Sequence, residues 1–414
     1  LQSFSAVALL RHAFSGHRSW LPHWRKAAPR PAYKVVIVGG GGHGLATAYY
    51  LAKRYGVTDI AVLEQGWIGG GNTGRNTTIV RSNYLQDASA AIYDHALAMW
   101  KGLGRELNFN VMYSPRGVIS LAHTIDDLHE ISRRGHAIRA NGIDSEYVSP
   151  AEIKRLVPII NLTGRFPVLG GLLQRRGGTV RHDAVAWGYA RAADALGVDI
   201  VENCAVTGFR IEGGRVLGVE TTRGAIAAER VGVVVAGHCS VLADMAGFRL
   251  PIQTVPLQAF VSEPLKPLIN TVVMSNTVHC YINQSDKGEL VMGGAGDAFL
   301  SYAQRGGFDC LEHATTALLD LFPILSRLRM MRQWAGITDI TQDRSPILSR
   351  TPVENLYFNC GWGTGGFKAT PASGDVFAWS IAHGRMHPIA APFSIERHFN
   401  GALIEEEAAA GVSH

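Results

Sequence analysis

The sequence predicts an α/β fold in which a parallel-sheet domain is interleaved with a second domain of mixed antiparallel sheet and helices. Three observations predict it. Residues 34–38, Lys34 followed by the continuous apolar run Val35-Val-Ile-Val38, have the pattern that a strand buried on both faces requires, and they lead into Gly39-Gly-Gly-Gly-His-Gly44. A second apolar run, 231–237, also ends in glycine. Short alternating runs at 255–261, 272–274, 278–282 and 289–292 have the pattern of an antiparallel sheet.

The chain has 414 residues, 47% hydrophobic and 18% charged, enough for a large core, which excludes disorder and a fibrous repeat. Its 47 glycines exceed the usual share of about 7% and point to tight turns and close backbone approach to a ligand. The formal charge of +5 resides in residues 1–32, where Arg11, Arg18, Arg25, Lys26 and Arg30 meet no acid. The remaining body is formally neutral, which argues against nucleic-acid binding. With Ser5, Ser15 and Ser19 the basic arm has the composition of a mitochondrial presequence; the alternative is an ordered or partner-bound extension using Phe4, Leu9, Leu10, Phe14, Trp20, Leu21 and Trp24. No run of 18 apolar residues predicts a membrane span. Cys204, Cys239, Cys280, Cys310 and Cys360 are odd in number and lack CxxC spacing, so neither a disulfide framework nor a metal site is expected, and a reducing, cytoplasmic setting is.

Elements follow in order. After the first strand and its glycine turn, a helix carries Leu45, Ala48, Tyr49 and Leu51 to Gly56, and a strand at 60–63 ends at Glu64. A glycine-rich loop spans 66–74, a helix is predicted over 88–107, and a strand over 118–121. Thr124 is a helix cap, and Ser149-Pro-Ala-Glu152 is a capping box for the next helix. Asp183 is the expected N-cap of a helix over 184–196, followed by a strand at 198–201. Runs 206–211, 216–221 and 226–229 read as an antiparallel meander, separate from the strand at 231–237. Beyond the antiparallel runs come a helix over 310–328, a strand at 356–359, a second glycine-rich turn and a helix over 372–383.

The first strand-turn-helix has the form of a dinucleotide site. Gly39 makes the turn, Gly41 lets a pyrophosphate approach, with Gly42 beside it, and Gly44 lets helix and strand pack. Glu64, about twenty residues farther on, can accept ribose hydroxyls. The competing reading is a glycine turn that only packs. The second turn, at 361–366, can present amides to the far end of a long cofactor, which suits an isoalloxazine ring better than nicotinamide.

These residues, with Gly71-Asn-Thr-Gly-Arg-Asn-Thr-Thr-Ile-Val-Arg81 and Cys360-Gly-Trp-Gly-Thr-Gly-Gly-Phe-Lys368, resemble the D-amino-acid oxidase superfamily of flavoproteins. Within it, the chain most resembles the beta subunits of bacterial heterotetrameric sarcosine oxidases, over nearly its whole length. The resemblance implies a Rossmann-like FAD-binding domain (33–100, 171–245, 335–400), a substrate domain (101–170, 246–334), the N-terminal arm (1–32) and a C-terminal tail (401–414). It implies cofactor contacts at Arg75, Asn76, Gly363, Gly365 and Gly366, and substrate-carboxylate contacts at Arg81 and Lys368. It also implies covalent FMN at His182, in Arg181-His-Asp-Ala-Val-Ala-Trp187, where sequence alone assigns no role. Monomeric relatives tether FAD to a cysteine; the matching position here is Gly336, so non-covalent FAD is expected. The implied reaction demethylates sarcosine to glycine with formaldehyde or methylene-tetrahydrofolate, electrons passing from FAD to FMN to oxygen to give hydrogen peroxide. Implied partners are alpha, gamma and delta subunits, with tetrahydrofolate and NAD sites outside this chain. Lys287 and His279 receive no role. A stand-alone amino-acid dehydrogenase and a non-catalytic scaffold are the alternatives.

Overall fold

The computed structural model describes residues 5–18 and 22–405. The expectations for Phe4, Ser19, Trp20, Leu21 and the tail beyond 405 lie outside the described residues.

Two eight-stranded sheets organise the chain. In the first, Asp199–Val201, Ile60–Leu63, Ala32–Val38, Ile226–Val233 and Leu356–Cys360 run parallel in that spatial order, with Ile347–Arg350 antiparallel at the edge. The strand Ile60–Leu63 is buried throughout, as its unbroken apolar sequence requires. The helix Gly42–Tyr55 follows the first strand and ends where Gly56 adopts the left-handed conformation, its N–H bonded to the Leu51 carbonyl.

The two runs expected at 226–229 and 231–237 are one strand, Ile226–Val233, that both closes the meander and joins the parallel core. Glu229 and Arg230 interrupt the apolar sequence there without ending the strand. The Arg230 guanidinium donates to the carbonyls of Ile381 and Ala382 at the end of a neighbouring helix, where a cation also complements the helix dipole. That helix is Gly366–His383, starting six residues earlier than the sequence indicated, with Pro371 inside it. Proline leaves the Phe367 carbonyl without its helical N–H donor, and the Thr370 hydroxyl supplies one at 2.7 Å. The expected helix over 310–328 also divides, into Phe308–Leu321 and a tighter turn, Pro323–Arg327, because Pro323 cannot donate to the preceding turn.

The second sheet runs in the order Met330–Thr341, Ile252–Pro264, Glu289–Gly296, Cys280–Gln284, Val272–Ser275, Val118–Ala122, Gly170–Gln174, Glu146–Val148. All its pairings are antiparallel except that of Val272–Ser275 with Val118–Ala122. The strands Gly170–Gln174 and Met330–Thr341 belong to this sheet, so the expected boundaries at 171 and 335 fall within its strands. Helix Phe308–Leu321 closes the core on this side through Ala314, Leu318 and Leu321.

In the N-terminal arm, Ala6–Phe14 is a helix capped by the Ser5 hydroxyl, and it exposes Val7, Leu9, Leu10 and Phe14. Farther along, the arm is fastened to the body. Arg25 pairs with Asp194 at 2.8 Å, Arg30 pairs with Asp59 at 2.6 Å and Asp199 at 3.0 Å, and Trp24 packs against the core. Among the described residues no helix is long and apolar enough to cross a membrane.

A side chain at Gly44 would press into the Gly39 carbonyl and its strand. Gly44→Ala is expected to cost about 1–3 kcal/mol of stability, read as a lower urea midpoint with an unchanged slope; an unshifted midpoint would refute the close approach.

Candidate active site

A cavity of about 620 Å³ opens at the carboxyl ends of the parallel strands, within the roughly 300–1,000 Å³ of ligand clefts. It lies where the first sheet's strand order reverses, the position at which such sheets bind ligands. Gly39, Gly41 and Gly42 line one end, with the N-terminus of helix Gly42–Tyr55 directed at it. Gly44 lies beneath, as packing demands.

Glu64 lines the same end. Its carboxylate accepts the amides of Gly40 at 2.8 Å and Gly66 at 2.9 Å. Burial raises its pKa and the two amides oppose that rise. The Gly42 amide donates to the Thr73 hydroxyl at 2.9 Å, so the loop following the second strand folds over the first glycine turn. Trp67, 66% exposed, stands at the mouth with its ring against Gly70.

Arg75 and Asn76 also line the cavity, and both have structural partners. Arg75 donates to the carbonyls of Gly70 and Gly71 and to Gln304 Oε1 at 2.9 Å. Asn76 bonds the Thr73 carbonyl and the Thr78 amide, shaping the loop that delivers Arg81. Gly336, at the expected tether position, lines the cavity and packs against Asn72 and Arg75.

Arg81 and Lys368 come together at the other end, from opposite ends of the chain. Arg81 is buried, donates to Asn83 Oδ1 at 2.7 Å, and stacks over Tyr84. Lys368 Nζ donates to the Thr364 carbonyl at 2.8 Å. Burial, reinforced by the charge of Arg81, holds the Lys368 pKa well below the usual lysine range. Lys368 lies in the first turn of helix Gly366–His383, not in a preceding loop. Gly363 and Gly366 line the cavity; Gly365 is displaced from it, backing onto the Tyr93 hydroxyl and a second cavity of about 20 Å³.

Two side chains that sequence reasoning passed over build this end. Asp339, fully buried on strand Met330–Thr341, accepts the Gly361 amide at 2.5 Å, with the Trp362 and Gly363 amides also bonded to it. Burial pushes its pKa up to about 7, against those amides. His43, inside the first glycine motif, reaches the second: Nε2 meets the Gly366 carbonyl at 2.7 Å and Nδ1 meets the Ser373 hydroxyl at 2.7 Å. Burial lowers its pKa to about 4. A histidine among five glycines was the visible signal; nothing comparable marks Asp339.

His182 does not line this cavity. It opens helix His182–Ala195, with Arg181 as N-cap residue. Asp183 is therefore not the N-cap as expected: its carboxylate is taken by the Arg181 guanidinium at 2.6 and 2.7 Å and by the Ala184 amide at 2.7 Å. His182 Nδ1 is buried with no hydrogen-bond partner, and burial lowers the ring's pKa, opposed by Asp183 and supported by Arg181 and Lys287.

Residues 34–379 match the FAD dependent oxidoreductase (DAO) family. The chain belongs to that family. It is 54% identical to the sarcosine oxidase subunit beta of Rhodobacter capsulatus, each covered in full. It is 53% identical to that of Rhizobium meliloti, over 98% of this chain and 97% of the relative. Among solved structures, an L-proline dehydrogenase from P. horikoshii superposes with a TM-score of 0.84 at 25% identity, covering 91% of this chain and 100% of that one. A glycine oxidase from Geobacillus kaustophilus, at 22% identity and a TM-score of 0.81, covering 89% and 100%, shares the fold. The glycine cradle, the acid at Glu64 and the size of the cavity suit the FAD of the family.

The depressed pKa of His43 sets a pH dependence. The unfolded ring takes up its proton near pH 6.5 and the folded ring only near 4, so stability falls as pH drops through that window, by roughly 3 kcal/mol from this group. Urea midpoints measured from pH 7 to 4 are expected to fall less steeply in His43→Gln; equal slopes would show that His43 does not carry the effect.

Proposed function

We propose that this chain is the catalytic beta subunit of a heterotetrameric sarcosine oxidase. The observation that carries the reading is the convergence of Arg81 and Lys368 in the cavity: two cations whose mutual repulsion is relieved by a substrate carboxylate. Full-length similarity to proteins named sarcosine oxidase subunit beta supports the choice of substrate.

Gly39, Gly41, Gly42 and Glu64 hold the nucleotide end of non-covalent FAD, and the turn at Gly363 and Gly366 adjoins its ring. Bound FAD would supply hydride acceptance from the N-methyl carbon of neutral sarcosine and covalent FMN would supply electron transfer to oxygen, giving hydrogen peroxide; water would hydrolyse the resulting imine to glycine and formaldehyde, or tetrahydrofolate would take the one-carbon unit as methylene-tetrahydrofolate. Arg81 and Lys368 orient the carboxylate so that the N-methyl group faces the ring. The buried, unpartnered Nδ1 of His182, which is not among the residues lining the main cavity, supports attachment of FMN there. Alpha, gamma and delta subunits complete the assembly, and tetrahydrofolate and NAD bind to partners. The apolar face of helix Ala6–Phe14 is an assembly contact. Five free cysteines support a reducing, cytoplasmic setting. The likeness to the L-proline dehydrogenase supports a second reading, a stand-alone amino-acid dehydrogenase with one flavin.

Acid precipitation of the chain co-expressed with its neighbouring subunits separates the two readings. FMN on a His182 peptide in the pellet and FAD in the supernatant are expected, with the pellet flavin lost in His182→Asn; FAD alone from a verified assembly would favour the dehydrogenase. Deleting residues 1–30 is expected to abolish assembly, measured by co-purification; full assembly of the shortened chain would remove the arm from the interface.

Methoxyacetate, the ether isostere of sarcosine, tests the carboxylate site. Lys368→Ala or Arg81→Ala is expected to weaken its binding about tenfold or more. The lowered pKa of free Lys368 rises when an anion binds, so affinity is expected to fall as pH rises and binding to take up a proton. Calorimetry in two buffers of different ionisation heat reads that proton; none taken up, with affinity intact in Lys368→Ala, would remove Lys368 from the site.

A further inference from the structure

The hydrogen bonds around His43 run in one direction. The Gly366 carbonyl can only accept, so His43 Nε2 carries the proton and, in the neutral ring, Nδ1 must accept from the Ser373 hydroxyl. Ser373 Oγ in turn accepts from Asn359 Nδ2 at 2.8 Å, and Asn359 Oδ1 accepts from the Trp362 indole N–H at 2.7 Å. The chain Trp362 to Asn359 to Ser373 to His43 to Gly366 is complete, with each side chain's role fixed by the next. His43 also meets the Trp362 ring edge-on, with centroids 5.1 Å apart.

The ends of this chain are functionally different. His43 is part of the nucleotide cradle, next to Gly42 in the cavity wall. Gly366 begins the helix whose first turn carries Lys368, and Ser373 lies on that helix's inner face. Gly366 is the first residue after the N-cap Gly365, so its carbonyl lies in the helix's first turn, four residues before the Thr370 amide. A ring that holds this carbonyl therefore sets the pitch of the turn bearing Lys368.

We infer that His43 is a positioning residue that couples the nucleotide cradle to the carboxylate-anchoring helix, so that filling the cradle and orienting Lys368 are one event. A nucleotide pyrophosphate against Gly39–Gly42 fixes the His43 backbone, and the imidazole then holds Gly366 and Ser373 in register. By linkage, a carboxylate on Lys368 tightens the cradle by the same factor. The inference rests on the reading of Lys368 as the carboxylate anchor. It goes beyond that reading by making His43, a residue of the nucleotide motif, a determinant of substrate affinity.

The test uses assembled, FAD-containing enzyme with His43→Leu, His43→Gln and Ser373→Ala. Leucine removes both bonds, whereas the glutamine amide reaches Gly366 but not Ser373. Three quantities are measured: the dissociation constant of FAD, that of methoxyacetate from flavin absorbance, and amide exchange in residues 366–370. His43→Leu is expected to weaken both ligands about tenfold and speed exchange. His43→Gln is expected to return methoxyacetate affinity to within about threefold of the parent. Unchanged dissociation constants in a folded His43→Leu, or a loss confined to FAD, would overturn the coupling. Should His43→Leu fail to assemble, amide exchange decides: FAD loading is expected to slow exchange in residues 366–370 more in the parent than in Ser373→Ala, which loses one of the two bonds from His43, and equal slowing overturns the coupling. If the parent binds FAD but no methoxyacetate, the substrate reading falls, and exchange alone judges the coupling. Slowing on FAD loading in the parent but not in the variant upholds it, and equal slowing overturns it.

Discussion

The site depends on the close approach of two glycine-rich turns that are remote in sequence. The strands Ala32–Val38 and Leu356–Cys360 flank Ile226–Val233 in one sheet, so the turns that follow them emerge side by side. Their helices pack tightly: a side chain at Gly374 would collide with Ala46, and one at Gly44 with Gly39. Small residues at these points let backbone approach backbone, and His43 then bridges the gap with two hydrogen bonds at 2.7 Å. Without that contact the cavity would have two unrelated walls.

The second sheet supplies the opposite wall. Strand Met330–Thr341 pairs along nearly its whole length with Ile252–Pro264 and presents Gly336 and Ile337 to the loop after the second parallel strand. Asn72 imitates a strand there, donating to the Ile337 carbonyl at 2.5 Å and accepting its amide at 2.9 Å. Asp339, three residues after Gly336, holds the second glycine turn by its amides. One strand thus fixes both the glycine loop and the turn leading to Lys368, which couples the two sheets at the cavity.

Charge is distributed accordingly. Buried ions elsewhere are paired: Asp343 takes Arg397 bidentately at 2.7 and 2.9 Å, and Arg397 holds its carboxyl down to about pKa 2 against burial. In the cavity, by contrast, Lys368 faces another cation, and its ammonium is destabilised. Such an arrangement costs stability and is a mark of a binding site rather than of a scaffold.

Strands with uninterrupted apolar sequence, the glycine turns, Glu64, the Thr124 cap and the capping box at Ser149 were legible in the sequence because each is a local signal: burial on two faces, conformational freedom or a spacing of three residues. The start of helix Gly366–His383 was not, because Pro371 is tolerated only where Thr370 satisfies the carbonyl that it abandons. Nor was the continuity of Ile226–Val233, since nothing near Arg230 in sequence reveals the helix end that receives it. Arg81 and Lys368 were read from resemblance, and their meeting is a product of the fold. The sequence by itself determined the cradle and its acid; only the tertiary structure decided the roles of His43 and Asp339, because a hydrogen bond across the fold leaves no periodicity along the chain.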